Sequence, residues 1–357
     1  MNRLENCRLI LAACNAQAML FTSYHNKFYF AGLYSSSGYV LITMNHKYVI
    51  VDSRYYHEVQ QNNRDAQVFL MDRENTFECI INKIIEDDKI DMIGFESDDL
   101  TYDRFESLQR KLHTLLKPID MNQIRAVKDK TEIETIQKAC TIADRAYAYI
   151  LDFIKIGMSE NEVANELVYF MKKNGADKES FDTIVASGVR GSMPHAKASG
   201  KKIETGDFVT LDFGAKVNQY CSDMTRTFAV GKADNKEIIK IYQVVLEAQQ
   251  KGIQAVRAGA RFCDVDNAAR SVIEKAGYGA YFSHNLGHSL GINDHEDPRL
   301  SPVETRSMEA GMVVTVEPGI YIPDIGGVRI EDDVLVTENE PLVLTGAPKN
   351  LIIADKE

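Results

Sequence analysis

The chain opens on a helical period: Leu4, Cys7, Leu11 and Cys14 recur three and four residues apart, which predicts an amphipathic first helix. Runs of strand composition follow at 19–23, 28–32, 39–44, 48–52 and 68–71, parted by polar or glycine-containing turns. Helical spacing returns at 77–86 and 102–116, with an apolar strand at 92–95 between them. This alternation predicts an α/β domain over residues 1–120. No dense group of Cys, His, Asp and Glu falls within it, so its pattern points to no chemistry of its own.

Beyond residue 121 the elements lengthen. Helices are predicted at 132–154 and 159–173, the second opened by the capping box Ser159-x-x-Glu162 and closed by Asn174-Gly175. A strand-rich segment runs through 230, and the pattern then repeats: helices at 236–256 and 263–276, Gly277, and strands between 313 and 336. Gly206-Asp-Phe-Val-Thr-Leu-Asp212-Phe-Gly214 aligns with Gly311-Met-Val-Val-Thr-Val-Glu317-Pro-Gly319 at an offset of 105, with four identities and a carboxylate at the same place. Gly157 matches Gly259 and Gly175 matches Gly277 after a three-residue slip. A match that keeps the order helix, Gly, helix, Gly, strand predicts two α-α-β-β halves in one domain, 121–357, of approximate twofold symmetry. One long period excludes a solenoid, whose units are shorter and more numerous.

Each half carries a second acid soon after the first: Asp223 follows Asp212 by 11 residues and Glu331 follows Glu317 by 14. Lengths of this kind set the two acids of a half on neighbouring strands, and symmetry brings the pairs together. Asp212 and Glu317 both end apolar runs, where an unpaired carboxylate is costly, so four converging acids imply cations. Three of the eight histidines lie in His284-Asn-Leu-Gly-His288-Ser-Leu-Gly-Ile-Asn-Asp-His295-Glu296, between the acid pairs, with Gly287 and Gly291 allowing close backbone approach. His195 stands in the glycine-rich segment 188–200, too irregular for a regular element and suited to lining a site.

Composition changes this picture little. The 357 residues are 45% hydrophobic and 26% charged, ordinary for a globular protein of about two domains. A net charge of −11, from 52 acidic against 41 basic residues, has the wrong sign for phosphate backbones or anionic lipid, so nucleic acid and membrane are not expected partners. No apolar stretch nears the roughly 18 residues of a bilayer span. The six cysteines show no C-x-x-C pair, which fits reduced thiols and a cytoplasmic location. Leu11-Ala12-Ala13-Cys14 has the look of a lipoprotein box and Ala16-Gln17-Ala18 that of a signal-peptidase site, but the apolar run before them is short and follows Glu5; export is the lesser reading.

The ordered set Asp212, Asp223, His288, Glu317 and Glu331, with Pro-His195, His-x-x-Gly-His288, His295-Glu296, Glu317-Pro-Gly and Gly327-Val-Arg-Ile-Glu331-Asp, closely resembles the pita-bread metallopeptidases, in particular Xaa-Pro dipeptidases (prolidases) and aminopeptidases P. The resemblance spans essentially the whole chain. It implies a C-terminal pseudo-twofold pita-bread domain and a smaller creatinase-type α/β N-terminal domain. It further implies two divalent ions: Asp212 chelating one, Asp223 and Glu331 bridging both, His288 and Glu317 completing the other. All five ligand types are present, which speaks against creatinase, and methionine aminopeptidases usually lack such an N-terminal domain.

An oxygen-rich donor set suits Mn²⁺, with Co²⁺, Fe²⁺ or Zn²⁺ as alternatives. The implied reaction is attack of a dimetal-held hydroxide on the carbonyl before proline. By family position Glu317 exchanges the nucleophile's proton, His195 and His295 stabilise the intermediate and assist the leaving nitrogen, and His284 and Arg329 support or bind substrate. Arg299, in His295-Glu-Asp-Pro-Arg299, is expected to meet the free carboxylate of a dipeptide, against the alternative of a solvated loop arginine. Xaa-Pro dipeptides are therefore the expected substrates, longer Xaa-Pro peptides the alternative, and a non-catalytic metal-binding homologue the minor one. The resemblance also suggests a homodimer.

Overall fold

A computed structural model describes residues 2–355 and divides into two compact units, Met1–Arg125 and Ala126–Glu357. The first unit is a six-stranded mixed sheet in the order Gln67–Met71, Lys47–Asp52, Tyr39–Thr43, Ala18–Phe21, Met92–Glu96, Leu115–Ile119. The helix Phe77–Asp88 lays Phe77, Ile80, Ile81, Ile84 and Ile85 on it, a stripe at helical spacing packed against Leu20, Leu41, Ile50 and Ile93. The predicted first helix is Arg3–Ala13, with Cys7 and Leu11 buried.

Two expectations fail here. Residues 28–32 are not a strand but the end of the helix Tyr24–Ala31, because Ser23 caps its N-terminus by accepting from Asn26 N and Gly32 closes it at φ 60°. The aromatic run has strand composition, and the caps outside it decide the outcome. The helix expected over 102–116 stops at Lys111; Leu112 is extended, and Leu115–Ile119 becomes an edge strand parallel to Met92–Glu96, where Pro118 is tolerated. A short helix, Tyr56–Asn62, had no sequence signal.

The second unit has the duplicated order. The helices Lys130–Phe153 and Glu160–Lys173 precede a four-stranded sheet in the order Ile353–Ala354, Met224–Val230, Phe208–Phe213, Ile184–Ser187. The helices Lys236–Ala255 and Phe262–Lys275 precede a five-stranded sheet in the order Glu296–Leu300, Gly287–Ser289, Val313–Val316, Asp332–Leu335, Leu342–Val343. Each pair of helices has its own apolar cluster, one around Ala143, Tyr147, Leu167 and Leu211, the other around Val245, Phe262, Val314 and Val316. The capping box at Ser159 is formed. The paired glycines show why they repeat: Gly157 and Gly259 have φ 88° and 82°, Gly206 and Gly311 have 92° and 93°, values that L side chains rarely adopt. No described helix is long and apolar enough to cross a membrane.

Candidate metal centre

Asp212 lies near the end of strand Phe208–Phe213, and Asp223 immediately precedes the antiparallel strand Met224–Val230, with Asp212 opposite Thr225. In the other half Val316 pairs with Asp332, so Glu317 and Glu331 leave the ends of neighbouring antiparallel strands side by side. The residues between them form a separate hairpin, Gly319–Ile322 with Gly326–Arg329. The two halves meet through Thr225, whose carbonyl accepts from Glu331 N at 3.1 Å and whose hydroxyl donates to Glu331 Oε2 at 2.6 Å. Asp333 Oδ2 accepts from Asp223 N at 2.9 Å across the same seam.

His288 comes from the adjacent strand Gly287–Ser289. A Cβ at Gly287 would collide with the Thr315 carbonyl, so only glycine lets the two strands approach this closely. His288 N donates to Thr315 Oγ1 at 3.0 Å, and its Nδ1–H donates to the Ser289 carbonyl at 3.1 Å. A carbonyl only accepts, so the proton is on Nδ1 and Nε2 is left with a lone pair. That Nε2 is 3.4 Å from Glu317 Oε1 and 3.7 Å from Asp223 Oδ2.

Donor atoms of Asp223, His288 and Glu331 all lie within 4.8 Å of one another, and all three side chains are buried. Burial, followed by the neighbouring acids, holds the Asp223 and Glu331 carboxyls well above the usual carboxylate range. Burial likewise raises Glu317 to about 7, with Arg329 opposing and Asp212 reinforcing the shift. Burial lowers His288 to about 3, keeping the imidazole neutral. Asp212 Oδ1 is buried and accepts no hydrogen bond, while its Oδ2 is held by Arg329 at 2.7 Å. An orphaned carboxylate oxygen, three acids that resist ionising beside one another and a neutral imidazole form a donor set that fits divalent metal.

All ten residues singled out in the sequence line one cavity of about 480 Å³. The structure separates their surroundings. The His295 ring stacks on His288, centroids 3.9 Å apart, and its Nδ1 is 3.0 Å from Asp294 Oδ2, a contact that raises its pKa. His195 is exposed at the cavity wall, on the loop after the short 3-10 helix Gly188–Ser192. Arg299 pairs with His288 in the strand register; its side chain is 58% exposed and 3.8 Å from Asp297.

His284 and Arg329 are committed to protein partners. His284 Nδ1–H donates to the Asn285 carbonyl at 2.7 Å, so Nε2 accepts from Tyr321 Oη at 2.9 Å. Burial, then Arg329, lowers His284 to about 4, consistent with this neutral tautomer. Arg329 donates to Tyr321 Oη at 2.8 Å, Thr225 Oγ1 at 3.0 Å, Asp212 Oδ2 at 2.7 Å and the Pro194 carbonyl at 3.3 Å.

Tyr321, Thr225, Thr315, Asp294 and Asp333 escaped the sequence reading. Asp294 could have been found beside His295. The others look like ordinary strand residues, and only their partners across the fold distinguish them.

The family model of metallopeptidase family M24 matches residues 134–338, and that of the creatinase/prolidase N-terminal domain matches 3–127. The chain is 40% identical over 331 residues to an Xaa-Pro dipeptidase of Pyrococcus furiosus, covering 92% of each. Among solved structures it is similar to an Xaa-Pro dipeptidase from Bacillus anthracis, at 41% identity and TM-score 0.95, covering 98% of this chain and 99% of that one. It is also similar to an X-Pro aminopeptidase from Thermotoga maritima, at 35% identity and TM-score 0.91, covering 98% and 100%.

Proposed function

The chain belongs to metallopeptidase family M24, and from that premise we propose that it hydrolyses Xaa-Pro peptide bonds, with Xaa-Pro dipeptides as its substrates. The observation that carries the reading is the convergence of Asp212, Asp223, His288, Glu317 and Glu331 in one cavity with His195 and His295. We assign those five side chains as ligands of two divalent ions. Four carboxylates to one imidazole support Mn²⁺. When bound, such ions polarise a carbonyl and make water acidic enough to attack at neutral pH.

The chain's own groups supply the rest. Glu317, at the cavity edge of the cluster, takes the proton that the attacking water loses. His195 and His295 donate to the oxygen that becomes negative as the carbonyl carbon turns tetrahedral, and to the departing proline nitrogen. Asp294 holds His295 through Nδ1, so that Nε2 is the free ring nitrogen. Arg329 orients Asp212, and His284 orients Tyr321, which in turn accepts from Arg329. Arg299, exposed on the cavity wall, pairs with the substrate carboxylate; this contact is what favours dipeptides. The six free cysteines support a reducing, cytoplasmic setting, and the family resemblance supports a homodimer.

The test is to strip metal with a chelator, restore Mn²⁺, and assay Ala-Pro beside Ala-Pro-Ala and Ala-Ala. Metal-dependent cleavage of Ala-Pro alone is expected. Failure to cleave any Xaa-Pro bond overturns the enzyme reading; cleavage of Ala-Pro-Ala but not Ala-Pro selects the aminopeptidase alternative.

A further inference from the structure

The loop that carries His195 is glycine-rich and exposed, yet one carboxylate closes its base. Glu160, the first residue of helix Glu160–Lys173, is 0% exposed. Its Oε1 accepts from Ser187 N and Ser187 Oγ, both at 2.9 Å. Its Oε2 accepts from Ser199 N at 3.1 Å and Ser199 Oγ at 2.6 Å. Arg190 Nε donates to both oxygens, at 3.2 and 3.0 Å. Ser187 and Arg190 precede His195 and Ser199 follows it, so a single buried group ties the two ends of the loop together.

Neighbouring bonds extend the clamp. Asn161 N donates to the Ser199 carbonyl at 3.0 Å, and Arg190 reaches the Lys197 carbonyl, two residues past His195, at 2.6 Å. On the other side Arg329 holds the Pro194 carbonyl, next to His195. The helix does not need Glu160 for its own start: Ser159 and Glu162 already form the capping box. The Glu160 carboxylate is spent wholly on the loop, with enough donors to offset the cost of burying an anion.

We propose that Glu160 is a positioning residue for His195, keeping the loop closed at its base so that the imidazole stays at the cavity wall. This rests on the Xaa-Pro hydrolase reading, in which His195 contacts the reacting carbonyl oxygen. In Glu160→Gln the amide nitrogen faces donors that it cannot accept from, which loosens one end of the loop without touching a metal ligand.

A double-mutant cycle on the metal-saturated protein tests it, using wild type, E160Q, H195A and the double variant with Ala-Pro. E160Q is expected to lower kcat by between about 10- and 100-fold, the upper figure being what a misplacement of about 1 Å can cost, with KM and Mn²⁺ affinity changed less than about threefold. In the H195A background the same substitution should cost less than about threefold. An equal loss in both backgrounds, no loss in either, or a parallel loss of Mn²⁺ affinity overturns the proposal. Ser199→Ala, which removes the 2.6 Å hydroxyl contact to Glu160 and the hydroxyl's bond from Lys201 N at 3.1 Å while leaving the Ser199 N contact, should show the same pattern at smaller size and carries the cycle if E160Q does not fold. Amide hydrogen exchange of residues 188–200 in the metal-free protein should be faster in either variant, and unchanged exchange overturns the anchor. If wild type cleaves no Xaa-Pro bond, the functional reading fails on that result, while exchange still decides whether Glu160 holds the loop.

Discussion

Replacing Glu317 by glutamine should stabilise the metal-free protein at pH 8 and do so by only about a quarter as much near pH 5. The carboxyl is raised from 4.5 to about 7 in the folded protein, by burial first and then by Asp212 against the opposing pull of Arg329. A folded pKa above the unfolded one means that folding favours the protonated form. The associated stability is fully present below about 4.5 and is lost as pH rises through about 7. A rise of that size corresponds to about 3 kcal/mol. Glutamine stays neutral throughout, has nearly the same shape, and can still accept from Thr315 Oγ1, which donates to Glu317 Oε1 at 3.3 Å. The chelated variant should therefore be up to about 3 kcal/mol more stable than chelated wild type at pH 8, which is roughly 6–12 °C in Tm for a unit of this size. Urea unfolding followed by circular dichroism at pH 5 and pH 8, in chelator and in excess Mn²⁺, measures it. With Mn²⁺ the order should reverse, because a neutral amide is a poor ligand and the ion stabilises whichever protein binds it more tightly. A difference independent of pH, or a chelated wild type more stable than the variant at pH 8, would refute the picture of crowded, uncompensated acids.

Three further outcomes follow from the same geometry. Thr225→Val removes the hydroxyl that donates to Glu331 Oε2 and accepts from Arg329 Nε, and should weaken Mn²⁺ binding by about 10–100-fold in a competition titration; unchanged affinity would show that Thr225 does not orient the ligand. Arg226→Met breaks a fully buried pair with Asp332 at 2.7 Å and takes away the guanidinium donors to the carbonyls of Glu331, Ala347 and Pro348, so urea unfolding should register a loss of about 3–5 kcal/mol, and a loss under about 1 kcal/mol would contradict it. Arg299→Ala should raise KM for Ala-Pro about 10–100-fold and leave Ala-Pro-amide unaffected, since only the former carries the free carboxylate; equal effects on both would remove Arg299 from that role.

The candidate ligands were legible because their cost was legible. Asp212 and Glu317 stand at the ends of apolar strands, where a lone acid is hard to sustain, and the internal repeat places them at equivalent positions. The glycines that mark the repeat persist because their positive φ admits little else. What misled the reading was local composition unsupported by its ends: the aromatic run at 28–32 has strand chemistry, but Ser23 and Gly32 cap it as a helix. Glu160 was invisible for the opposite reason. An acid at a helix start beside a capping box reads as an ordinary first-turn carboxylate, and only the folded loop shows that it faces Ser187, Arg190 and Ser199.

By itself, then, the sequence determined the order of the elements in the second unit, its duplication and the acids and histidines that share a cavity, because periodicity, backbone conformation and the cost of buried charge are written locally; Arg329 joined them through the family resemblance. Tertiary structure alone decided how those residues are held. Thr225 and Asp333 reach ligands of the other half from more than a hundred positions away, Tyr321 joins His284 to Arg329, and neither histidine tautomer nor carboxyl protonation has a value until burial and partners are set. Hydrogen-bond partners and desolvation are properties of a place in space, and the chain acquires them only when its two halves close on each other.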